Sequence, residues 1–149
     1  MHFASLDELK AAVGTTLGSS DWIVVDQDRI NQFADATNDH QWIHVDPVKA
    51  AAGPFGSTVA HGFLTLSLLP ALVDGKLSVD GVRMAVNYGL NKVRFPAAVP
   101  VGSKLRGTTE LVSVEDVQGG AQITYQVTVE REGGDRPVCV AEAVARIYL

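Results

Sequence analysis

The chain has 149 residues, 46% hydrophobic and 19% charged, a composition typical of one globular domain spanning residues 1–149. A net charge of −5 disfavours a nucleic-acid partner, and no apolar run is long enough to span a membrane. The single cysteine, Cys139, excludes a disulfide framework. No secretory signal pattern opens the sequence, so a cytoplasmic location is expected.

The first half of the chain is predicted to be mainly helical. Ser5, Asp26 and Asp46 are capping residues that begin three of the helices. The helix over residues 61–75 is apolar around most of its circumference, so it is expected to be buried. The predicted elements are helices over 5–13, 26–38, 46–52 and 61–75, a short strand at 22–25 and a GPFGS loop at 53–57.

Beyond residue 80 the hydrophobic period changes to two, which predicts strands. Those strands cover 82–88, 91–95, 103–115, 121–131 and 137–148. The last strand is apolar on both faces, so it is expected at the centre of the sheet. Helices followed by an antiparallel sheet predict the α+β class, with the sheet wrapped around the apolar helix.

Histidines are concentrated around the segment DHQWIH, which spans residues 39–44. His40 and His44 have a spacing that zinc proteases use, but their general-base glutamate is replaced by Gln41, so a metal site is not favoured. Alternatively, Asp39 and His44 share one water and divide a proton transfer between them. The spacing also fits a capping aspartate and a hydrogen-bonded loop histidine, and it does not choose between the last two interpretations.

The dipeptide His61–Gly62 opens the apolar helix. The first N–H groups of a helix have no internal partner and carry a partial positive charge. A glycine also lets a substrate carbonyl approach the backbone closely. The Gly62 N–H is therefore a candidate donor to an oxyanion. The alternative is that Gly62 only permits tight entry into the helix and that His61 caps or packs.

The stretch FADATNDHQWIHVDPVKAA, followed by VAHGFLTLSLLP, resembles the MaoC-like (R)-specific enoyl-CoA hydratases. Their pattern is Gly-Asp-x-Asn-Pro-x-His, and Asp39 and His44 stand at its Asp and His. Asn38, Gln41 and Trp42 depart from its Gly, Asn and Pro. The resemblance implies a hot-dog fold, a homodimer with sheets side by side, and no metal or other cofactor.

The implied reaction is reversible addition of water across the 2,3 double bond of an acyl-CoA or acyl-carrier thioester. Asp39 and His44 would be the acid–base pair, and the Gly62 N–H would hold the enolate oxygen. Two other functions stay open, a hot-dog thioesterase and a non-catalytic thioester-binding subunit. The absence of Asp and Glu from residues 62–72 argues against the thioesterase.

Candidate substrate contacts lie in three regions. The loop and the helix it precedes are expected to line an acyl tunnel. Residues 81–109 carry five basic residues and no acidic one, which suits the phosphates of CoA or an acidic carrier protein, or else is a solvated strand edge. The expected contacts are Phe55, Gly56, Ser57, His61, Phe63, Asn87, Lys92 and Arg94.

Overall fold

The computed structural model describes all 149 residues. The helices are α1 (Leu6–Ala11), α2 (Gln27–Thr37), α3 (Trp42–Val45), α4 (Pro47–Ala51), α5 (Gly62–Ser67) and α6 (Leu69–Val73). The strands are β1 (His2–Phe3), β2 (Thr16–Ser19), β3 (Ile23–Val25), β4 (Ser78–Val79), β5 (Met84–Arg94), β6 (Ser103–Val117), β7 (Gly120–Arg131) and β8 (Cys139–Tyr148). No helix combines the length and the apolar character needed to cross a membrane.

The predicted helix starts are confirmed at their capping residues. The side chains of Ser5, Asp26 and Asp46 each accept the N–H of the residue three positions further on. Each bond satisfies one of the N–H groups that a helix leaves free at its start. Asn38 ends α2 in the left-handed conformation, with φ of 60°, and so reverses the chain directly before Asp39.

The apolar helix predicted over residues 61–75 is two short helices, α5 and α6, that meet at Leu68. Pro70 has no N–H to donate to the carbonyl of Leu66, and its ring disfavours a continuous helix there. The predicted burial is confirmed for the face toward the sheet. The opposite stripe is exposed and consists of Phe63, Ser67, Pro70 and Ala71.

The main sheet is antiparallel with the strand order β2-β6-β7-β8-β5, and β3 also pairs with β6. The central position predicted for the last strand is confirmed, since β8 lies between β7 and β5. The prediction of two strands over 82–88 and 91–95 is wrong, because β5 is continuous. Its register shifts after Asn87 and again after Leu90, and each shift breaks the period of two that the prediction used.

One hydrophobic cluster fills the space between α5, α6 and the inner face of the sheet. Leu64 and Leu72 contribute from the helices, and Val127 and Ala141 from the central strands. Cys139 is fully buried in the same cluster, as expected for a small core residue. The cluster holds α5 against the sheet and thereby fixes where Gly62 lies.

Candidate active site

The structure brings Asp39, His44 and His61 together. One nitrogen or carboxylate oxygen from each of these residues lies within 4.8 Å of the other two. The short helix α3 turns the chain so that His44 lies beside Asp39, and the start of α5 supplies His61. His40, the remaining histidine of the segment, lies outside this group and pairs with Asp35 at 2.8 Å.

His44 is held in one tautomer. Its Nδ1 lies 2.7 Å from the Val59 carbonyl oxygen, and because a carbonyl only accepts, Nδ1 carries the proton. The Nε2 atom makes no hydrogen bond and is free to accept one. The backbone carbonyl of His44 in turn accepts Gln27 Nε2 at 2.8 Å, and Thr58 donates to the same glutamine side chain. The His44 side chain is therefore held at Nδ1, and its main chain is held at the carbonyl oxygen.

The environment of His44 favours its neutral form. Burial lowers the pKa of the imidazole below its ordinary value of 6.5, and the positive charge of His61, when protonated, acts in the same direction. The bond to Val59 and the charge of Asp39 oppose the shift without cancelling it. At neutral pH, His44 is consequently a neutral base with an open Nε2.

This shift predicts the pH dependence of the activity. If His44 acts as a base, kcat/KM should fall on the acidic side through a pKa below 6.5. The folded state binds fewer protons here than the unfolded state. The stabilising contribution is therefore present above 6.5 and is lost as the pH falls through the lowered pKa. A pH–rate profile with an acidic limb at or above 6.5 would contradict the assignment.

His61 lies beneath the site rather than within it. Its side chain is 3% exposed, and its ring stacks on that of His44 with centroids 3.8 Å apart and 23° between the planes. Nε2 lies 2.9 Å from the Asp39 carbonyl oxygen and 3.9 Å from the Asp39 carboxylate oxygen Oδ2. His61 is therefore buried against His44 and Asp39, and its contact with a substrate remains a prediction.

The stacked rings are unsuited to a metal ion, although two imidazoles and a carboxylate form a ligand set that metals use. An ion lies in the plane of each coordinating imidazole, about 2.0–2.1 Å from the nitrogen. Planes inclined by 23° at a separation of 3.8 Å do not meet near either ring. Coordination would require one ring to leave the stack.

Gly62 begins α5 directly beside His44. As the first residue of the helix its N–H has no partner within the helix, and no other hydrogen bond of the protein uses it. A Cβ atom at this position would lie 3.2 Å from the ring of Phe95. The glycine therefore leaves room for the Phe95 ring.

A cavity of about 340 Å³ adjoins Gly62. His44, Phe55, Gly62, Thr65 and Phe95 are among the residues that line it. Of the expected loop contacts, Phe55 lines the cavity, whereas Gly56 and Ser57 do not. Phe63 is 69% exposed and packs edge-on against Phe95, with ring centroids 6.3 Å apart.

Asn87 lines two other cavities, of about 580 and 410 Å³, between the helices and β5. Both are mainly apolar, and both are also lined by Pro70 and Tyr125. Neither touches Asp39 or His44. Contact between Asn87 and a substrate remains a prediction.

The basic residues divide into two groups. Lys104 lies 3.8 Å from Glu132, and Arg106 pairs with Glu130, so both charges are compensated. Lys92 and Arg94 are exposed and pair with no carboxylate. Their ladder partners, Glu142 and Val140, place them on the sheet face away from α5.

Several residues of the site carry no signal in the sequence. Phe95 packs on Gly62, and the Val59 carbonyl, supported by Gln27 and Thr58, fixes His44. Val59 contributes only a backbone atom, which no residue pattern marks. Gln27 lies in the first turn of a predicted helix, where a polar side chain is ordinary and does not indicate a role in a site.

A helix packed against an antiparallel sheet is the architecture of the hot-dog class and confirms the predicted α+β fold. Residues 8–133 match the family model described as MaoC like domain. The protein belongs to this MaoC-like family.

Relatives agree with that membership, and a solved structure shares the fold. The 3-hydroxyacyl-thioester dehydratase Z of Mycobacterium tuberculosis is 59% identical over 145 residues, which cover 97% of this chain and 96% of that protein. Nodulation protein N of Rhizobium leguminosarum bv. viciae is 46% identical over 151 residues, covering 99% and 93%. The unliganded R-hydratase PhaJ1 of Pseudomonas aeruginosa has the same fold, with a TM-score of 0.77 and 22% identity, covering 98% and 86%.

Proposed function

We propose that this protein is a hydro-lyase, an (R)-specific enoyl-thioester hydratase that also runs in reverse as a 3-hydroxyacyl-thioester dehydratase. The observation that carries the proposal is the convergence of Asp39 with His44, whose Nε2 makes no hydrogen bond, beside a cavity lined by His44 and Gly62. Its family membership and its high identity to a 3-hydroxyacyl-thioester dehydratase support the same activity.

The proposed mechanism uses each group according to its environment. His44 Nε2 takes a proton from water as the water oxygen bonds to C3 of the enoyl group. The Asp39 carboxylate accepts a hydrogen bond from the O–H that the water keeps, and it compensates the charge of the imidazolium. The Gly62 N–H donates to the thioester oxygen as enolate charge develops there. The proton then passes from the pair to C2, which restores the thioester and the starting state of the enzyme.

Crotonyl-CoA tests the activity directly. Hydration removes the absorbance of the conjugated enoyl thioester and releases no thiol. Loss of absorbance without free CoA is the expected result. Release of free CoA would establish a thioesterase, and no change of either kind would leave a thioester-binding subunit.

We propose a homodimer formed through β5. This strand ends the sheet, and all but one of its 11 residues are exposed. Its exposed apolar side chains are Met84, Val86, Tyr88 and Leu90. A long apolar edge strand is a template for pairing with another chain. Light scattering should give twice the mass of one chain, and a monomer at working concentration would exclude the dimer.

The proposal includes no cofactor and a cytoplasmic location. The stacked geometry of His44 and His61 supports a metal-free reaction. Exhaustive chelation should leave turnover unchanged, because general acid–base groups on the chain supply the chemistry. A loss of activity that zinc restores would overturn the mechanism. Cys139 is a free, buried thiol that forms no disulfide, so the fold does not require an oxidising compartment.

We propose that Lys92 and Arg94 contact the phosphates of CoA. Reversing both charges, in K92E/R94E, should raise KM for CoA thioesters and leave kcat nearly unchanged, since the contact is equal in ground and transition states. The effect should shrink as salt rises, because exposed charges are screened over about 8–10 Å.

Two controls define this prediction. Arg83→Glu changes an exposed charge just before the opposite end of β5 and should not alter KM. A pantetheine substrate without the nucleotide should be insensitive to K92E/R94E. An unchanged KM for CoA thioesters at low salt would show that Lys92 and Arg94 are only solvated charges at the edge of the sheet.

A further inference from the structure

We propose that His61 is a positioning residue that fixes the positions of Asp39, His44 and Gly62 relative to one another. This inference rests on the proposed function and adds a residue that acts through the others. His61 touches each of the three by a different kind of contact. It bonds to Asp39, stacks on His44 and precedes Gly62 in the chain.

The bond to Asp39 defines the tautomer of His61. Nε2 lies 2.9 Å from the Asp39 carbonyl oxygen, which only accepts, so Nε2 carries the proton. The contact fixes the main chain of Asp39 directly after the left-handed turn at Asn38. The Asp39 carboxylate is itself exposed and makes only one long bond, of 3.4 Å, to the N–H of Gln41. The direction of the carboxylate therefore depends on its backbone.

The stack on His44 acts on the second member of the pair. The His44 ring is tethered at Nδ1 by Val59, and rotation about that tether would move Nε2. His61 covers one face of the ring, with the two ring centroids 3.8 Å apart. One side chain thus limits the movement of both catalytic groups.

Packing alone does not account for a histidine here. The Nδ1 atom of His61 is buried and has no hydrogen-bond partner, which disfavours this residue relative to an apolar one. An apolar side chain would fill the space beneath His44 without that cost. It would, however, lose the bond to Asp39, and this difference indicates that the polar contact is used.

Two substitutions at His61, one by glutamine and one by asparagine, distinguish the effect of the bond to Asp39 from the effect of packing. Glutamine can place its Nε2 close to the position of histidine Nε2, whereas the shorter asparagine cannot. His61→Gln should therefore keep the bond to Asp39, and His61→Asn should lose it. We expect kcat in His61→Asn to fall about 10- to 100-fold below that of His61→Gln, with KM within about threefold, because misplaced groups slow the chemistry more than binding.

Phe33→Leu is the matched control. It loosens the tilted contact between Phe33 and the His61 ring, whose centroids are 4.9 Å apart, but leaves the bond to Asp39 in place. We expect a lower melting temperature with kcat close to wild type. Equal kcat values in folded His61→Gln and His61→Asn, or a loss in Phe33→Leu as large as that in His61→Asn, would reduce His61 to a packing residue.

Nitrogen NMR of the wild-type histidines tests the same geometry without turnover. His61 should appear as the Nε2–H tautomer and His44 as the Nδ1–H tautomer. A neutral His61 protonated at Nδ1 would overturn the proposal even if all variants failed to fold. Failure of wild-type protein to hydrate crotonyl-CoA would instead refute the proposed function, so the two failures are distinguishable.

Discussion

Removing either member of the Asp39–His44 pair is expected to lower kcat for hydration of crotonyl-CoA by about 100-fold or more, the usual scale of general acid–base catalysis. Asp39→Asn keeps the shape of the side chain but removes the negative charge that compensates the imidazolium. His44→Ala removes the base entirely. His44→Asn is the sharper variant, because its Nδ2 can still donate to the Val59 carbonyl while the reactive Nε2 is gone.

Folding should survive the change at Asp39, which is exposed. His44 is buried, so its variants need a melting curve beside each rate. His40→Ala is the matched control within the same segment, since His40 pairs only with Asp35 on the surface. Its kcat should equal that of the wild type. Near-normal turnover in folded Asp39→Asn or His44→Asn would remove the pair from the mechanism.

Gly62→Ala is expected to have the second-largest effect, a loss of about 10- to 100-fold in kcat, which is smaller than the loss of about 100- to 1000-fold that follows complete removal of an oxyanion donor. The N–H itself is retained. The added methyl would lie 3.2 Å from Phe95 and close to the path of a thioester oxygen toward the N–H.

A double variant separates these two effects. Phe95→Leu removes most of the ring that the new methyl would meet. If the methyl hinders the substrate, Gly62→Ala/Phe95→Leu should remain as slow relative to Phe95→Leu as Gly62→Ala is relative to wild type. If crowding against Phe95 is the sole cause, the double variant should recover. Such recovery would refute the role of Gly62 in holding an oxyanion.

Local signals in the sequence were sufficient for much of the fold. Capping at Ser5, Asp26 and Asp46 depends on short contacts within one turn, and all three are confirmed. Two departures from the family pattern also fit the backbone. Asn38 adopts the left-handed conformation that glycine would have, and Asn tolerates it better than most residues. Trp42 is the first residue of α3, a position that suits proline equally well.

Features that depend on distant segments were not predictable. The bulges of β5 exist because that strand follows the register of β8, so no local period marks them. The site shows the same limit. The approach of Asp39 to His44 follows from a turn, and the sequence offered it as one of two interpretations. The placement of His61 on His44 requires α5 to pack beneath α3, which only the folded chain defines.

Because Cys139 is buried, the native protein is expected not to react with thiol reagents. The side chain is fully enclosed, and burial raises the pKa of its thiol to about 11, so almost no thiolate forms near neutral pH. Native enzyme should consume no disulfide reagent on the time scale of an assay. Any colour that such a reagent develops with an acyl-CoA then counts product CoA alone, and a slow background signal would report opening of the β8 core.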